Sequence, residues 1–186
     1  MTGKIMRWVA GYHDLRLDGM MDLVIRAHGA TVLDVGCNRG LVGFELANNG
    51  AEVVHGCDYF EDGIKTAREL FVDLRNVRSR FEVVDLRDGP NILKAHFMSA
   101  YEMVLLLATL HKLKRSMEPE SLRELIVYLG QITGHYFAWR GTSDKPEENE
   151  DEIIFLDLHL AGVGLRRIHT SYISDALGVA AIWERR

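Results

Sequence analysis

The segment Thr31–Gly40, with the sequence TVLDVGCNRG, places the strongest constraint on the fold. Thr31–Val35 is a short run of β-branched and apolar residues, which predicts a buried strand. Gly36–Gly40 is a glycine-rich turn, and Leu41–Asn48 after it predicts a helix. A strand that enters a helix through such a turn offers free backbone N–H groups and lets a ligand approach the backbone closely. The segment therefore predicts an α/β fold with a site for a ligand that carries a carboxylate or a phosphate.

Strands and helices alternate along most of the chain. Further strands are predicted over Ala51–Cys57, Phe81–Val84, Tyr101–Leu107 and Gly134–Trp139. Further helices are predicted over Asp14–His28, Asp62–Leu74 and Pro119–Tyr128. This alternation indicates a mostly parallel sheet with right-handed crossover connections.

The C-terminal part has a different pattern. Gly141–Glu150 is polar and acidic, which predicts an exposed loop, and Glu152–Leu160 is compatible with a helix. Leu165–Tyr172 and Val179–Trp183 predict two strands. Because their connection is short, we expect these two strands to pair in the antiparallel sense.

The composition bounds the class of protein. A chain of 186 residues with 47% hydrophobic and 26% charged residues predicts one folded domain spanning residues 1–186. The net charge of −5 argues against a protein that wraps duplex nucleic acid. Cys37 and Cys57 form neither a disulfide framework nor a zinc-binding spacing, so no metal is expected. The longest apolar run, Met103–Leu110, is far shorter than the roughly 20 residues of a membrane span. We therefore expect a cytoplasmic protein without a membrane partner.

The glycine-rich turn allows two interpretations. Asn38–Gly43 resembles a degraded dinucleotide-binding G-x-G-x-x-G, which would favour a nicotinamide cofactor. However, Asp34 lies two residues before Gly36, and its negative charge would repel a pyrophosphate but suit the cationic end of a sulfonium amino acid. Asp58 lies 18 residues after Gly40, just past the second predicted strand, where an acid can accept hydrogen bonds from both ribose hydroxyls.

Three segments in order resemble the class I S-adenosylmethionine-dependent methyltransferases. They are VLDVGCNRG from Val32, GAEVVHGCD ending at Asp58, and FEVVDL with Asp85, and the resemblance extends to about Leu113. It implies a Rossmann-like, doubly wound, seven-stranded sheet with an antiparallel last strand. It also implies S-adenosyl-L-methionine as the cofactor.

The resemblance assigns roles to particular residues. Asp34, Gly36 and Gly40 would line the methionine moiety and Asp58 would hold the ribose. Asp85 would meet the adenine amino group, with Leu86 beside it. The other residues expected at the cofactor are Cys37, Asn38, Tyr59, Leu107 and Arg16. The family usually has glycine in place of Asn38, and asparagine tolerates the left-handed backbone that the turn requires. Tyr59 and Phe60 would either stack near the adenine or pack as ordinary aromatic residues, and Asp85 could simply form a turn.

His111 is the candidate catalytic residue. It follows the fourth predicted strand, whose carboxyl end faces the ligand crevice of an open parallel sheet, and a histidine there can act as a base. Its alternative role is structural. Residues 1–30 form a predicted N-terminal helical segment, in which Tyr12, His13 and Arg16 precede the first helix. The resemblance implies that this segment covers the cofactor, and Arg16 would either meet the cofactor's carboxylate or be solvated.

The methyl acceptor is not specified by these motifs. The chain lacks the Asn/Asp-Pro-Pro-Tyr signature of amino-directed nucleic-acid methyltransferases and has Ala108–His111 in its place, which favours a small molecule or glycan with an oxygen nucleophile. Little sequence remains to cap the substrate, so a second subunit of a homodimer could close the site. Two other functions stay open: a cofactor-binding regulatory module without catalysis, and an NAD-dependent oxidoreductase.

Overall fold

The structure, a computed structural model, describes residues 15–143, 145–174 and 178–186. Its strands form one seven-stranded sheet in the order β3-β2-β1-β4-β5-β7-β6. The strands are β1 (Thr31–Val35), β2 (Val53–Asp58), β3 (Arg78–Val83), β4 (Tyr101–Leu107), β5 (Thr133–Gly141), β6 (Leu165–Ser174) and β7 (Gly178–Arg185). β7 runs antiparallel to both of its neighbours, and the remaining pairs are parallel. The predicted Rossmann-like, doubly wound sheet with an antiparallel last strand is confirmed.

Helices cover both faces of the sheet. They are α1 (Met21–Ile25), α2 (Leu41–Asn48), α3 (Glu61–Phe71), α4 (Pro90–His96), α5 (Leu110–Ser116), α6 (Pro119–Ile132) and α7 (Pro146–Ala161). The first three pack with one buried apolar cluster and the last four with another, on opposite faces of the strands. Burial of two apolar layers against one sheet is the main source of stability in this architecture.

The strand order positions the candidate site. β1 lies between β2 and β4, so the chain leaves the centre of the sheet in one direction after β1 and in the other direction from β4. In open α/β sheets a ligand crevice forms at such a switch point, outside the carboxyl ends of the strands. The turn after β1 and the residues after β2 and β4 therefore meet at one edge of the sheet.

The prediction of a continuous helix over Asp14–His28 is wrong for the residues that the structure describes. A 3-10 turn over Leu15–Leu17 is followed by the short helix α1, and Gly19 between them has a φ of 75°. A helix cannot continue through this left-handed backbone. The apolar spacing nevertheless identified side chains of the core, because Leu17, Leu23 and Val24 are buried.

Two helices were not predicted, and the loop predicted over Gly141–Glu150 is too long. β5 continues to Gly141, and α7 begins at Pro146 with Glu147 and Glu148 in its first turn. Pro90, Pro119 and Pro146 each begin a helix, which is where proline is tolerated. α4 and α5 have seven residues each, too few to show clear periodicity. Within the described residues, no helix is both long enough and apolar enough to cross a bilayer.

Candidate functional site

A cavity of about 540 Å³ opens at the carboxyl ends of β1, β2 and β4. Eight of the residues expected at the cofactor line it: Arg16, Gly36, Asn38, Asp58, Tyr59, Asp85, Leu86 and Leu107. They come from five separate parts of the sequence, and the switch point of the sheet brings them together. The cavity is thus the candidate functional site.

Asp58 is the more deeply buried of the two acids that line the cavity. It is the last residue of β2, its side chain is 8% exposed, and its two carboxylate oxygens have different donors. The main-chain N–H of Asn38 donates to Oδ2 at 2.8 Å, and that of Phe60 donates to Oδ1 at 3.0 Å. Each oxygen keeps a second lone pair. Asp58 can therefore accept two further hydrogen bonds from a ligand without changing its conformation.

The turn after β1 has the backbone that its sequence requires. Asn38 has a φ of 51°, so asparagine does adopt the left-handed conformation expected at this position. This conformation directs the Asn38 N–H toward Asp58. The turn and the acid therefore form one hydrogen-bonded unit at the cavity wall.

Glycine is required at position 36 because the Thr109 side chain, in the connection after β4, lies very close to it. A Cβ atom built on Gly36 would lie 2.2 Å from Oγ1 of Thr109, and Gly36 has a φ of 82°. Thr109 itself is buried and donates its hydroxyl to the Leu107 carbonyl at 3.0 Å. Ala108, which lies between Leu107 and Thr109 in the sequence, has a φ of 55°, which is uncommon for alanine. The connection after β4 is therefore held in a strained conformation against the turn after β1.

Replacing Gly36 with alanine is expected to destabilise the protein by about 2–5 kcal/mol. The left-handed backbone contributes roughly 1–2 kcal/mol and the displacement of Thr109 about 1–3 kcal/mol. Gly29→Ala is a matched control, because Gly29 has a φ of 78° but no atom within 4 Å of a built Cβ. Urea unfolding of both variants separates the two contributions. Equal destabilisation of the two variants would show that the Thr109 contact does not require glycine.

Asp85 and Leu86 form the opposite end of the cavity. Asp85 caps the 3-10 turn Leu86–Asp88, and hydrogen bonds from Arg87 lower the pKa of its carboxyl group. Tyr59 lies at the rim and is 71% exposed, so its ring is available to a planar group in the cavity. Phe60 also lines this region.

Three residues of the segment Thr31–Gly40 that were expected at the cofactor, Asp34, Cys37 and Gly40, do not line the cavity. Asp34 and Cys37 are buried, and burial raises the pKa of the Cys37 thiol, which keeps it protonated. Gly40 begins α2 with a φ of 71°, and a Cβ there would lie 2.9 Å from Cβ of Ala67 in α3. Gly40 therefore allows two helices to pack closely.

His111 also lies outside the cavity lining. It is the second residue of α5 and is half-buried, and its Nδ1 atom has no hydrogen-bond partner among the described residues. Burial lowers its pKa, with the positive charges of Lys112 and Arg115 acting in the same direction and Glu148 opposing them. The imidazole is consequently neutral at pH 7.

The N-terminal segment reaches the cavity at Arg16, which lines it. Tyr12 and His13, also expected near the cofactor, lie outside the described residues. The Asp18 carbonyl accepts a hydrogen bond from the buried Arg140 of β5. This contact attaches the segment before α1 to the strand adjacent to β4.

The residues of α5 and of its N-cap position that line the cavity were not predicted from the sequence. They are Thr109, Lys112, Leu113 and Ser116, which follow helical spacing and lie on one face. The signal was present, but it depended on first predicting this short helix. Val84, Arg87 and Ala108 also line the cavity and had no distinct sequence signal.

Comparison with known proteins gives one family. The family model described as "Methyltransferase domain" matches residues 32–130. A curated relative, the ubiquinone biosynthesis O-methyltransferase of Neisseria meningitidis serogroup C, is 38% identical over 73 residues. That alignment covers 39% of this chain and 29% of the relative, so the chain matches less than a third of the relative's length.

Solved structures give the same fold. The magnesium protoporphyrin IX methyltransferase of Synechocystis PCC 6803 with bound SAM has a TM-score of 0.67 and 19% identity, covering 91% of this chain and 78% of that chain. The N-methyltransferase NodS of Bradyrhizobium japonicum WM9 has a TM-score of 0.63 and 12% identity, covering 91% and 94% respectively. At these identities the likeness shows the shared fold.

Proposed function

This chain belongs to the methyltransferase-domain family and has its class I fold, and we propose that it is an S-adenosylmethionine-dependent methyltransferase whose cofactor occupies the cavity described above. The observation that carries the proposal is the position of Asp58. Its carboxylate is fixed at the end of β2 by the N–H groups of Asn38 and Phe60 and retains two lone pairs toward the cavity. The two hydroxyls of a ribose match these acceptors.

The residues around Asp58 fit the other parts of this cofactor. Gly36 of the turn after β1 lines the cavity, so its backbone is available to the amino acid end of the cofactor. At the other end Asp85 supplies an acceptor for the adenine amino group, beside Leu86 and the exposed ring of Tyr59. The cavity volume of about 540 Å³ is within the usual range for a small-molecule site.

The cofactor, when bound, supplies an activated methyl group, so the protein has to position the acceptor and exclude water. We further propose that the acceptor is an oxygen nucleophile on a small molecule or glycan. The chain has Ala108–His111 at the position of the amino-directed signature, and the relative from Neisseria meningitidis is an O-methyltransferase. The structural neighbours include an N-methyltransferase, which makes an amine acceptor the principal alternative.

His111 is the proposed base for such an acceptor. It occupies the first turn of α5 beside Lys112, which lines the cavity, while His111 itself does not. A position next to the cofactor cavity but outside its lining suits a group that acts on the acceptor. The lowered pKa keeps the imidazole in the form that accepts a proton.

The alternatives make different use of the same cavity. A nicotinamide dinucleotide would place its pyrophosphate near the turn after β1. Asp34 is buried in β1 just before this turn, and Asp58 lines the cavity beside it. Two carboxylates are unfavourable neighbours for that group. A regulatory module without catalysis would bind the same cofactor but transfer no methyl group.

We expect S-adenosylhomocysteine to stabilise the protein against thermal unfolding and NAD to have no effect. A ligand at 100 times its dissociation constant adds about 2.7 kcal/mol to the free energy of unfolding. A melting experiment with each compound measures the difference directly. Stabilisation by NAD alone would contradict the proposed function, whereas stabilisation by S-adenosylhomocysteine with no transferase activity on any acceptor would favour the regulatory module.

A further inference from the structure

The carboxylate expected to recognise the adenine is already occupied by a neighbouring side chain. Nε of Arg87 lies 2.9 Å from both Oδ1 and Oδ2 of Asp85, and Nη2 donates to Oδ2 as well. The main-chain N–H of Arg87 donates to Oδ1 at 3.0 Å. A carboxylate has about four acceptor positions. These four contacts leave little acceptor capacity for an incoming amino group.

Arg87 has space to leave this position. Its side chain is 60% exposed, and it lies between the cavity and a second groove of about 540 Å³ on the other side of the Leu86–Asp88 turn. The groove contains the acids Asp88 and Glu124 as well as the cations Lys94 and Arg123, so a guanidinium group released from Asp85 has carboxylates within the groove to pair with. Arg87 can therefore exchange partners by rotating its side chain, without a change in the fold.

We propose that Arg87 competes with the exocyclic amino group of the bound nucleoside for Asp85, and so sets both the affinity and the base specificity of the cavity. This inference rests on the proposed function. A nucleoside with an amino group gains a hydrogen bond to Asp85 only after displacing Arg87. A nucleoside with a carbonyl group at the same position cannot donate to Asp85, so it leaves the ion pair in place and gains no hydrogen bond there.

Arg87→Met tests this competition, because methionine keeps an unbranched apolar side chain and removes the donors. Exposed ion pairs contribute little, so S-adenosylhomocysteine should bind about two- to fivefold more tightly to the variant. S-inosylhomocysteine carries a carbonyl in place of the amino group and should bind no more tightly, because its carbonyl oxygen would face a carboxylate that has lost its cation. The dissociation constant of S-inosylhomocysteine divided by that of S-adenosylhomocysteine should therefore be larger in the variant than in the wild type. A purely structural role for Arg87 would change both constants alike and leave this ratio unchanged.

Arg123→Met is a matched control. Arg123 forms a similar exposed ion pair with Glu120 and lines the second groove but not the cavity. Its replacement should change neither dissociation constant. In an Asp85→Asn background, Arg87→Met should also have no effect on the ratio, because the ion pair is already lost.

The outcomes of calorimetric titration separate the two proposals. If the unmodified protein does not bind S-adenosylhomocysteine, the proposed function fails. If the protein binds it and Arg87→Met weakens or does not change this affinity, the competition is overturned and the proposed function stands. Equal tightening for both nucleosides would also overturn it, because the effect would then not act through the amino group.

Discussion

Replacing Asp58 with alanine is expected to weaken S-adenosylhomocysteine binding by about 100-fold or more while the fold is retained. Hydrogen bonds to a charged acceptor contribute about 1.5–3 kcal/mol each, and the ribose would make two of them. Asp58 is suited to this role because two N–H groups orient its carboxylate before any ligand arrives. Because the side chain is already ordered, ligand binding causes little further loss of conformational entropy at Asp58.

Calorimetric titration measures this effect, and circular dichroism melting checks that the variant is folded. Asp58→Asn retains one acceptor oxygen and should lie between the wild type and the alanine variant. Asp62→Ala is a matched control, because Asp62 is an exposed acid in the first turn of α3 that does not line the cavity. Unchanged affinity in a folded Asp58→Ala protein would show that the ribose is bound elsewhere.

Replacing His111 with alanine is expected to lower turnover by about 10²–10⁴-fold, the usual contribution of a general base, with little change in S-adenosylhomocysteine affinity. The affinity should be preserved because His111 does not line the cofactor cavity. His135→Ala serves as a control, since His135 is an exposed residue of β5 outside the cavity lining. The affinity measurement needs no acceptor, so it can be made before the acceptor is identified.

The pH dependence of turnover gives a second test of His111. Burial, Lys112 and Arg115 lower its pKa below 6.5, so the neutral imidazole persists below this pH. Activity should therefore be retained to pH values below 6.5 and decrease as the pH falls through the lowered pKa. His111→Ala should lose this acid-side decrease. A folded variant that no longer binds S-adenosylhomocysteine would instead assign His111 to the cofactor site.

The part of the fold that could be predicted from the sequence is the part determined by local pattern. The bounds of β1 and α2 match the prediction because a β-branched run, a glycine-rich turn and a helical segment follow one another without interruption. The break at Gly19 was missed because the apolar spacing continues across it. Periodicity reports which side chains are buried and does not report whether one helix or two carry them.

The candidate site was predictable where it depends on strand ends and missed where it depends on tertiary contacts. Asp58 ends β2 and Asp85 comes shortly after β3, so their meeting at one edge of the sheet is a consequence of the topology. The close packing of α2 against α3 at Gly40 depends on a contact with Ala67 that the local sequence does not specify. The left-handed Ala108 and the pairing of Arg87 with Asp85 depend on packing that no local pattern specifies.

A crystal structure of the protein with S-adenosylhomocysteine is the most direct test of the central claim, that this cavity binds the methyl donor. We expect the ribose hydroxyls to lie within hydrogen-bond distance of both Asp58 oxygens, the adenine beside Leu86, and the amino acid end next to Gly36. A ligand bound at another surface, or one in this cavity with its ribose away from Asp58, would contradict the claim.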